Sequence, residues 1–145
     1  MITVLKIIYG MIPIQEGEDH MARRSMQREA VYANLCSRTD HPTAEEVYAS
    51  LKPKMPSISL ATVYRNLHTL TEQGKIQTIS IDKSDHFDAK VEQHYHLYCN
   101  TCGRLYDLDF PLIQGIDDEA REYKDGKINA YSLVFYGTCP HCLKK

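Results

Sequence analysis

Between residues 60 and 74 the chain reads LATVYRNLHTLTEQG, with Leu60, Val63, Leu67 and Leu70 recurring at spacings of 3, 4 and 3. That is the period of a helix with one buried face. Ser59 stands where an N-cap belongs and Gly74 where such a helix stops. Its other face carries Ser59, Thr62, Tyr64, Arg65, Asn66 and His68, all capable of polar contact. Two helices are predicted upstream. One covers Ser25–Arg38, with Met26, Ala30, Ala33 and Cys36 on an apolar stripe that Val31 and Leu35 widen. On that stripe Cys36 is expected to be a buried, inert thiol. The other follows Pro42, with Thr43 and Glu46 spaced as a capping box, Val47, Tyr48 and Leu51 facing inward, and Pro53 and Pro56 closing it.

After Gly74 the period shortens to two. KIQTISI and SDHFDA read as strands joined by DKSD, a hairpin behind the third helix. Three short helices and a hairpin in this order describe a winged helix-turn-helix. Beyond Ala89, HYHLYC and RLYDLDF alternate as strands around CNTCG. A helix is predicted from Pro111 to Tyr123, and KINAYSLVFYGTC reads as one long final strand. The expected class is α+β in two units. Residues 21–84 form the winged helix, 85–93 a hinge and 94–145 a small second domain, behind a tail of unclear role at residues 1–20.

Charge adds to this picture. The net charge is only −2, yet residues 21–83 hold nine Lys/Arg against six Asp/Glu, and residues 84–145 hold seven against ten. A basic half joined to an acidic half suits a DNA reader attached to something else. No apolar stretch is long enough to cross a bilayer. The opening MITVLKIIYG offers only Lys6 and no small-residue cleavage site, so no secretory signal is read. A reducing, cytoplasmic location follows, in which paired cysteines are metal ligands before they are disulfides.

Four of the five cysteines form two CxxC pairs, Cys99/Cys102 and Cys139/Cys142. Two thiolates from each tight turn can share a tetrahedral Zn(II), and four sulfurs leave no open position, so this ion would be structural. His94 and His96 stand two apart on a predicted strand and leave one face together. Asp88 lies near the hinge, Asp107 on the neighbouring strand, and His41 in the loop between the first two helices. Imidazole and carboxylate donors without sulfur suit Fe(II), Mn(II) or Zn(II). From spacing alone, a surface His pair and a bland loop His41 fit as well.

The motifs HPTAEEVY, SLATVYRNLHTLTEQGKI, HFD, HYHLYCNTCGRLYDLD and YGTCPHC resemble the ferric uptake regulator (Fur) family across residues 22–145. The resemblance implies a homodimeric, metal-dependent transcriptional repressor that binds palindromic double-stranded operator DNA. It also implies that the second domain mediates dimerisation. It assigns a regulatory Fe(II) or Mn(II) to His41, Asp88, His94, His96 and Asp107, and structural zinc to the four paired cysteines. It places the recognition helix on LATVYRNL, with Tyr64 near thymine methyls, Ser59, Thr62 and Arg65 on bases or phosphates, and Arg28 entering a minor groove.

Iron-sensing members of that family place Glu where Asp88 and Asp107 stand here; Asp at both positions resembles the peroxide-stress (PerR) branch. That likeness implies release from DNA after oxidation of a ligating histidine, His41 or His94. An iron-responsive repressor is the alternative. A metal hydrolase built on His94, His96 and Asp107 lacks an evident general base or site for a small organic substrate, and a zinc-ribbon adaptor is the other remote reading. Two departures stand out. Met26 replaces the family's Pro before Gln-Arg, and INAYSLVFYG lacks the His of a third metal site found in many relatives.

Overall fold

A computed structural model describes residues 16–144, the first five of them by backbone alone. The tail expected over residues 1–20 therefore lies almost wholly outside the described residues. The elements are α1 (Glu16–Cys36), α2 (Ala44–Leu51), α3 (Leu60–Glu72), β1 (Gln77–Ile81), β2 (Ser84–Asp88), β3 (Tyr95–Cys99), β4 (Leu105–Leu108), α4 (Ile116–Glu122), β5 (Val134–Gly137) and α5 (Pro140–Leu143).

The first helix begins well before Ser25. No proline lies between Pro13 and Pro42, and with Met26 in the place of the family's Pro nothing interrupts the backbone ladder. The helix turns Val31 and Leu35 inward, at 0% and 2% exposure, with Ala30 half-buried beside them. Met26, expected on the buried stripe, is 64% exposed. Cys36 is exposed as well, so the expected buried thiol is corrected. The physical reason is packing: α2 and α3 cover the side of α1 that carries Val31 and Leu35, where these meet Val47, Val63 and Leu67, and leave Met26 and Cys36 toward solvent.

The next two helices follow the pattern. Thr43 Oγ1 accepts the Glu46 N–H at 3.4 Å while Glu46 Oε2 accepts the Thr43 N–H at 2.9 Å, completing the capping box. Ser59 Oγ accepts the Thr62 N–H at 3.2 Å at the start of α3. Gly74 (φ +67°) ends that helix in the left-handed conformation that costs glycine least. Val63, Leu67 and Leu70 pack with Val31, Leu35, Val47, Leu51 and Phe87 in one core.

The antiparallel hairpin β1–β2 pairs Gln77 with Asp88 and Ile81 with Ser84. Asp82 and Lys83, both at positive φ, make the two-residue turn. β2 thus takes residues 85–88 of the expected hinge into the hairpin. The second sheet has the order β4-β3-β5, with β4 antiparallel and β5 parallel to β3. The expected long final strand shrinks to Val134–Gly137, because β3 offers pairing register only from His96 to Cys99. The expected helix from Pro111 forms only at Ile116, behind Gly115 (φ +89°). Ile79 and Ile81 of the hairpin meet Leu105, Tyr98 and Val134 of the sheet in a second apolar cluster. No helix among the described residues is long and apolar enough to cross a membrane.

Leu67→Ala should cost about 2–5 kcal/mol of unfolding free energy. Met26→Ala should stay within about 0.5 kcal/mol. Chemical denaturation of the zinc-replete protein measures both.

Candidate metal centres

The loop that carries His41 is pinned to β2 by three contacts. The Phe87 N–H donates to Pro42 O at 3.0 Å, a ring N–H of the buried His86 donates to His41 O at 2.9 Å, and Thr43 forms a bridge with His86. His41 itself sits at φ 47°. A β-branched or bulky residue rarely holds that conformation without surrounding contacts to enforce it. This stitching sets the His41 ring beside Asp88, two residues further along β2.

β3 supplies the next donors. Its alternation sends His96 to the hairpin side and Tyr95 to the other, where Tyr95 stacks with Phe110 and Phe135 at ring separations of 5.4 and 5.6 Å. β4 pairs Asp107 with His96. The result is a convergent cluster of five donors within 4.8 Å of one another. His41 Nε2 lies 2.8 Å from Asp107 Oδ1 and 3.4 Å from Asp88 Oδ2. His94 Nε2 is 3.1 Å from each of the same oxygens, and His96 Nε2 lies 3.4 Å from Asp88 Oδ2 and 3.6 Å from Asp107 Oδ1.

These separations fit one cation. Donors about 2.1 Å from a common centre and at right angles lie about 3.0 Å apart. The His94 Nδ1–H donates to Glu92 O at 2.6 Å, which leaves the Nε2 lone pair facing the cluster. Both ring nitrogens of His41 are buried with no hydrogen-bond partner, since its carboxylate contacts lack hydrogen-bond geometry. An orphaned buried imidazole is costly on its own, and a divalent ion would satisfy it.

Without an ion the charges lean on each other. Burial opposes a charged His41 ring, but Asp88 and Asp107 outweigh it and raise its pKa. Burial likewise opposes the Asp88 carboxylate, but the close His41 ring, the His96 ring and the Lys90 N–H hold its pKa well below the usual range. The His41 contribution is therefore full below about pH 6.5, the unfolded value, and lost as pH rises through the raised one. That of Asp88 is present above about pH 4 and lost as pH falls toward its depressed value.

The four paired cysteines form the other cluster, and among the described residues these are the two such groupings of His, Cys and carboxylates. Cys102 Sγ lies 3.9 Å from Cys139 Sγ, close to the roughly 3.8 Å expected for sulfurs about 2.3 Å from a tetrahedral Zn(II). The Cys139 N–H donates to Cys99 Sγ at 3.3 Å and leads the causes that bring that thiol down to about 6. Burial pushes Cys142 up to about 12. One thiolate is thus favoured before any ion arrives. His141 is exposed, as expected of a residue outside the four-sulfur set.

Residues that spacing did not announce complete both centres. Gln77 Nε2 donates to Asp88 Oδ2 at 3.2 Å and to Lys90 O at 2.5 Å. Lys90 Nζ approaches Asp107 Oδ2 at 3.7 Å on the exposed side of the cluster. Tyr106 Oη stands 3.8 Å from Cys102 Sγ. Only the pairing of Gln77 with Asp88 across the hairpin could have been guessed, from the register that DKSD implies.

Of the expected DNA-contacting residues, Arg28, Thr62 and Arg65 line one cleft, and the set is not equally free. Ser59 and Thr62 hold each other's hydroxyls at 2.8 Å. Tyr64 is 45% exposed and its hydroxyl donates to Glu45 at 2.6 Å. Arg65 and His68 are exposed, whereas Asn66, expected to point outward, is buried. Arg28 lies inside α1 with its Nε buried, not on a free arm, so the expected entry into a minor groove does not fit its placement.

Comparison with known proteins agrees with this architecture. The profile of the Ferric uptake regulator family matches residues 20–136. A Staphylococcus epidermidis protein named peroxide-responsive repressor PerR is 35% identical over 121 residues, 83% of this chain and 81% of that protein. Its Staphylococcus aureus counterpart is 35% identical over 124 residues, 85% and 84% of the two chains. The crystal structure of the Campylobacter jejuni peroxide stress regulator superposes with a TM-score of 0.66 at 34% identity, over 91% of this chain and all of that one. The Helicobacter pylori ferric uptake regulator, at 23% identity and TM-score 0.68 over 89% of this chain and 91% of its own, shares the fold.

Gln77→Leu removes the outer hydrogen bond to Asp88 and should weaken Mn(II) binding by about 10–100-fold. Competition with a chelating dye measures it, and zinc content should not change.

Proposed function

This chain belongs to the ferric uptake regulator family, and on that premise we propose that it is a metal-dependent transcriptional repressor of the peroxide-responsive kind. It is a regulator and not an enzyme. The observation that carries the reading is the five-donor cluster, in which His41 of the helical lobe meets Asp88, His94, His96 and Asp107 with both ring nitrogens unsatisfied. The name shared by relatives 35% identical over four-fifths of the chain, and Asp at both carboxylate positions, favour peroxide over iron as the signal.

Cys99, Cys102, Cys139 and Cys142 would hold a structural Zn(II) that ties α5 to the turn after β3. His41, Asp88, His94, His96 and Asp107 would hold the regulatory Fe(II) or Mn(II). When bound, Fe(II) supplies the electrons that activate peroxide, and Mn(II) fills the same donors without that reactivity.

The chain's own part is a clamp. Only the arrangement that brings His41 against the sheet completes the donor set, so ligand binding becomes a population shift toward that arrangement. Moving from about 1:99 to 99:1 needs roughly 5.5 kcal/mol of differential affinity. In the homodimer the shift sets the distance between two α3 helices, hence the half-site spacing they read on palindromic DNA. The exposed apolar side chains of the second lobe, among them Phe110, Ile113, Tyr123, Ile128 and Tyr136, suit the dimer contact.

In this reading His41 and His94 are the sensors. One peroxide oxygen ends on a ring carbon of either imidazole and the other leaves as water. An oxidised ring is a poor donor, His41 leaves the cluster, and the repressor releases its operator. A DNA reader works in the reducing cytosol, which suits four unpaired ligand thiols.

With Mn(II) present, His41→Ala should lower operator affinity at least about tenfold, a loss of about 1.4 kcal/mol, while zinc stays at one ion per chain. Unchanged binding in a gel-shift removes His41 from the switch. Mild peroxide on the Fe(II)-loaded protein should add one oxygen atom to a peptide bearing His41 or His94, and none on the Mn(II)-loaded protein. A mass spectrum showing only thiol oxidation returns the chain to iron sensing.

A further inference from the structure

A cleft of about 230 Å³ separates α1 from α3, and three arginines line it: Arg24 and Arg28 from α1 and Arg65 from α3. It exists because α1 continues unbroken through Met26, which carries Arg24 onto the same rigid helix one turn before Arg28. Gln27 and Asn66, only 7% and 6% exposed, are polar groups buried along its wall. Arg28 Nε is buried and has no hydrogen-bond partner. The Lys/Arg ion pairs among the described residues are Arg38–Asp40, Lys90–Asp107 and Arg121–Asp118, none of them in this cleft.

Three guanidinium groups held together without a carboxylate repel one another, and a buried unpaired N–H adds to the cost. An oxyanion removes both penalties, because guanidinium N–H groups match the spacing of phosphate oxygens. Thr62 and Thr69, on the stripe of α3 that faces the cleft, already direct their hydroxyls to Ser59 and to Arg65 O. The arginines are therefore the charged donors left for a ligand, beside the amides of Gln27 and Asn66. The exposed residues Tyr64, Arg65 and His68 lie on the neighbouring strip of α3. A helix laid in a major groove along that strip brings its flank against the groove wall, where the backbone phosphates are.

We propose that this cleft is a preformed phosphate grip in which Arg24 and Arg28, with Arg65, hold one phosphate of the DNA backbone beside the recognition helix. The proposal rests on the repressor reading and adds a contact to it. It gives Arg28 a phosphate in place of a minor groove, and it gives Arg24 a role that α1 provides only because no proline breaks it. Such a contact positions the protein without reading sequence.

The test is fluorescence anisotropy of full-length, Mn(II)-loaded protein with two labelled probes, a palindrome selected from a random pool and a duplex of scrambled sequence. Arg24 is exposed, so Arg24→Ala leaves the core intact. Because the homodimer carries two copies of the cleft, the substitution should reduce the slope of log affinity against log salt by about 1.8 on both probes. Equivalently, the loss of affinity between about 50 and 200 mM NaCl should shrink about 12-fold. Arg24→Lys should keep most of the slope, and Arg121→Ala, on α4, all of it. An unchanged slope for Arg24→Ala on both probes, with wild type binding normally, overturns the grip. So does saturable binding of inorganic phosphate, followed by NMR of the arginine Nε–H signals, that Arg24→Ala abolishes without touching duplex binding; the ligand is then the free anion. Wild type that binds neither probe sinks the repressor reading and this proposal with it.

Discussion

The stitch between the His41 loop and β2 is the constraint on which the rest depends. Two hydrogen bonds and one bridge hold residues 41–43 against residues 86 and 87, and they fix His41 at a backbone angle few residues adopt unaided. Because that loop precedes α2 and β2 leads toward β3, the stitch places a donor from the helical core at the edge of the sheet. Everything proposed about switching follows from one donor whose neighbours are supplied by another part of the fold. The second apolar cluster, where Ile79 and Ile81 meet Tyr98, Leu105 and Val134, supports the same closed arrangement. It is small, so the energy that keeps the lobes together leaves room for a bound ion to dominate.

The two centres divide stability from response. The four sulfurs lie where β3, the turn after it and α5 converge, within one lobe, so an ion there fastens a structure that has no reason to move. The five nitrogen and oxygen donors span both lobes, and His41 is the one least secured. His94 has its outer N–H bonded to Glu92 O, and Asp88 is bonded by Gln77 and Lys90, whereas His41 Nδ1 has no partner. A ligand without such an outer bond contributes less rigidity, which is why the proposed switch turns on it.

On the DNA side, the same absence of a proline that lengthens α1 also arranges its basic residues. Arg24 and Arg28 sit one turn apart and face α3, so their charge is spent beside the recognition helix. Tyr64, meanwhile, has its hydroxyl tied to Glu45 of α2, which leaves the ring free for apolar contact.

Much of this was legible in the sequence because it is local. Caps at Thr43 and Ser59, the 3-4-3 spacing of α3, the hairpin turn at Asp82-Lys83 and the alternation of His94 with His96 depend on residues within a few positions of each other. The pairs of cysteines are equally local, and resemblance carried the five regulatory donors to their positions. What chain order could not settle is which of two plausible faces of α1 is buried, and there Val31 and Leu35 prevailed over Met26 and Cys36. Nor could it settle how far β5 extends, since that is decided by the length of β3. Gln77, Lys90 and Tyr106 reach their centres only through pairing and packing, as does the arginine cleft. Local chemistry chose the elements and the donor types; the tertiary structure decided which donors meet, because convergence is a property of distances in space and not of spacing along the chain.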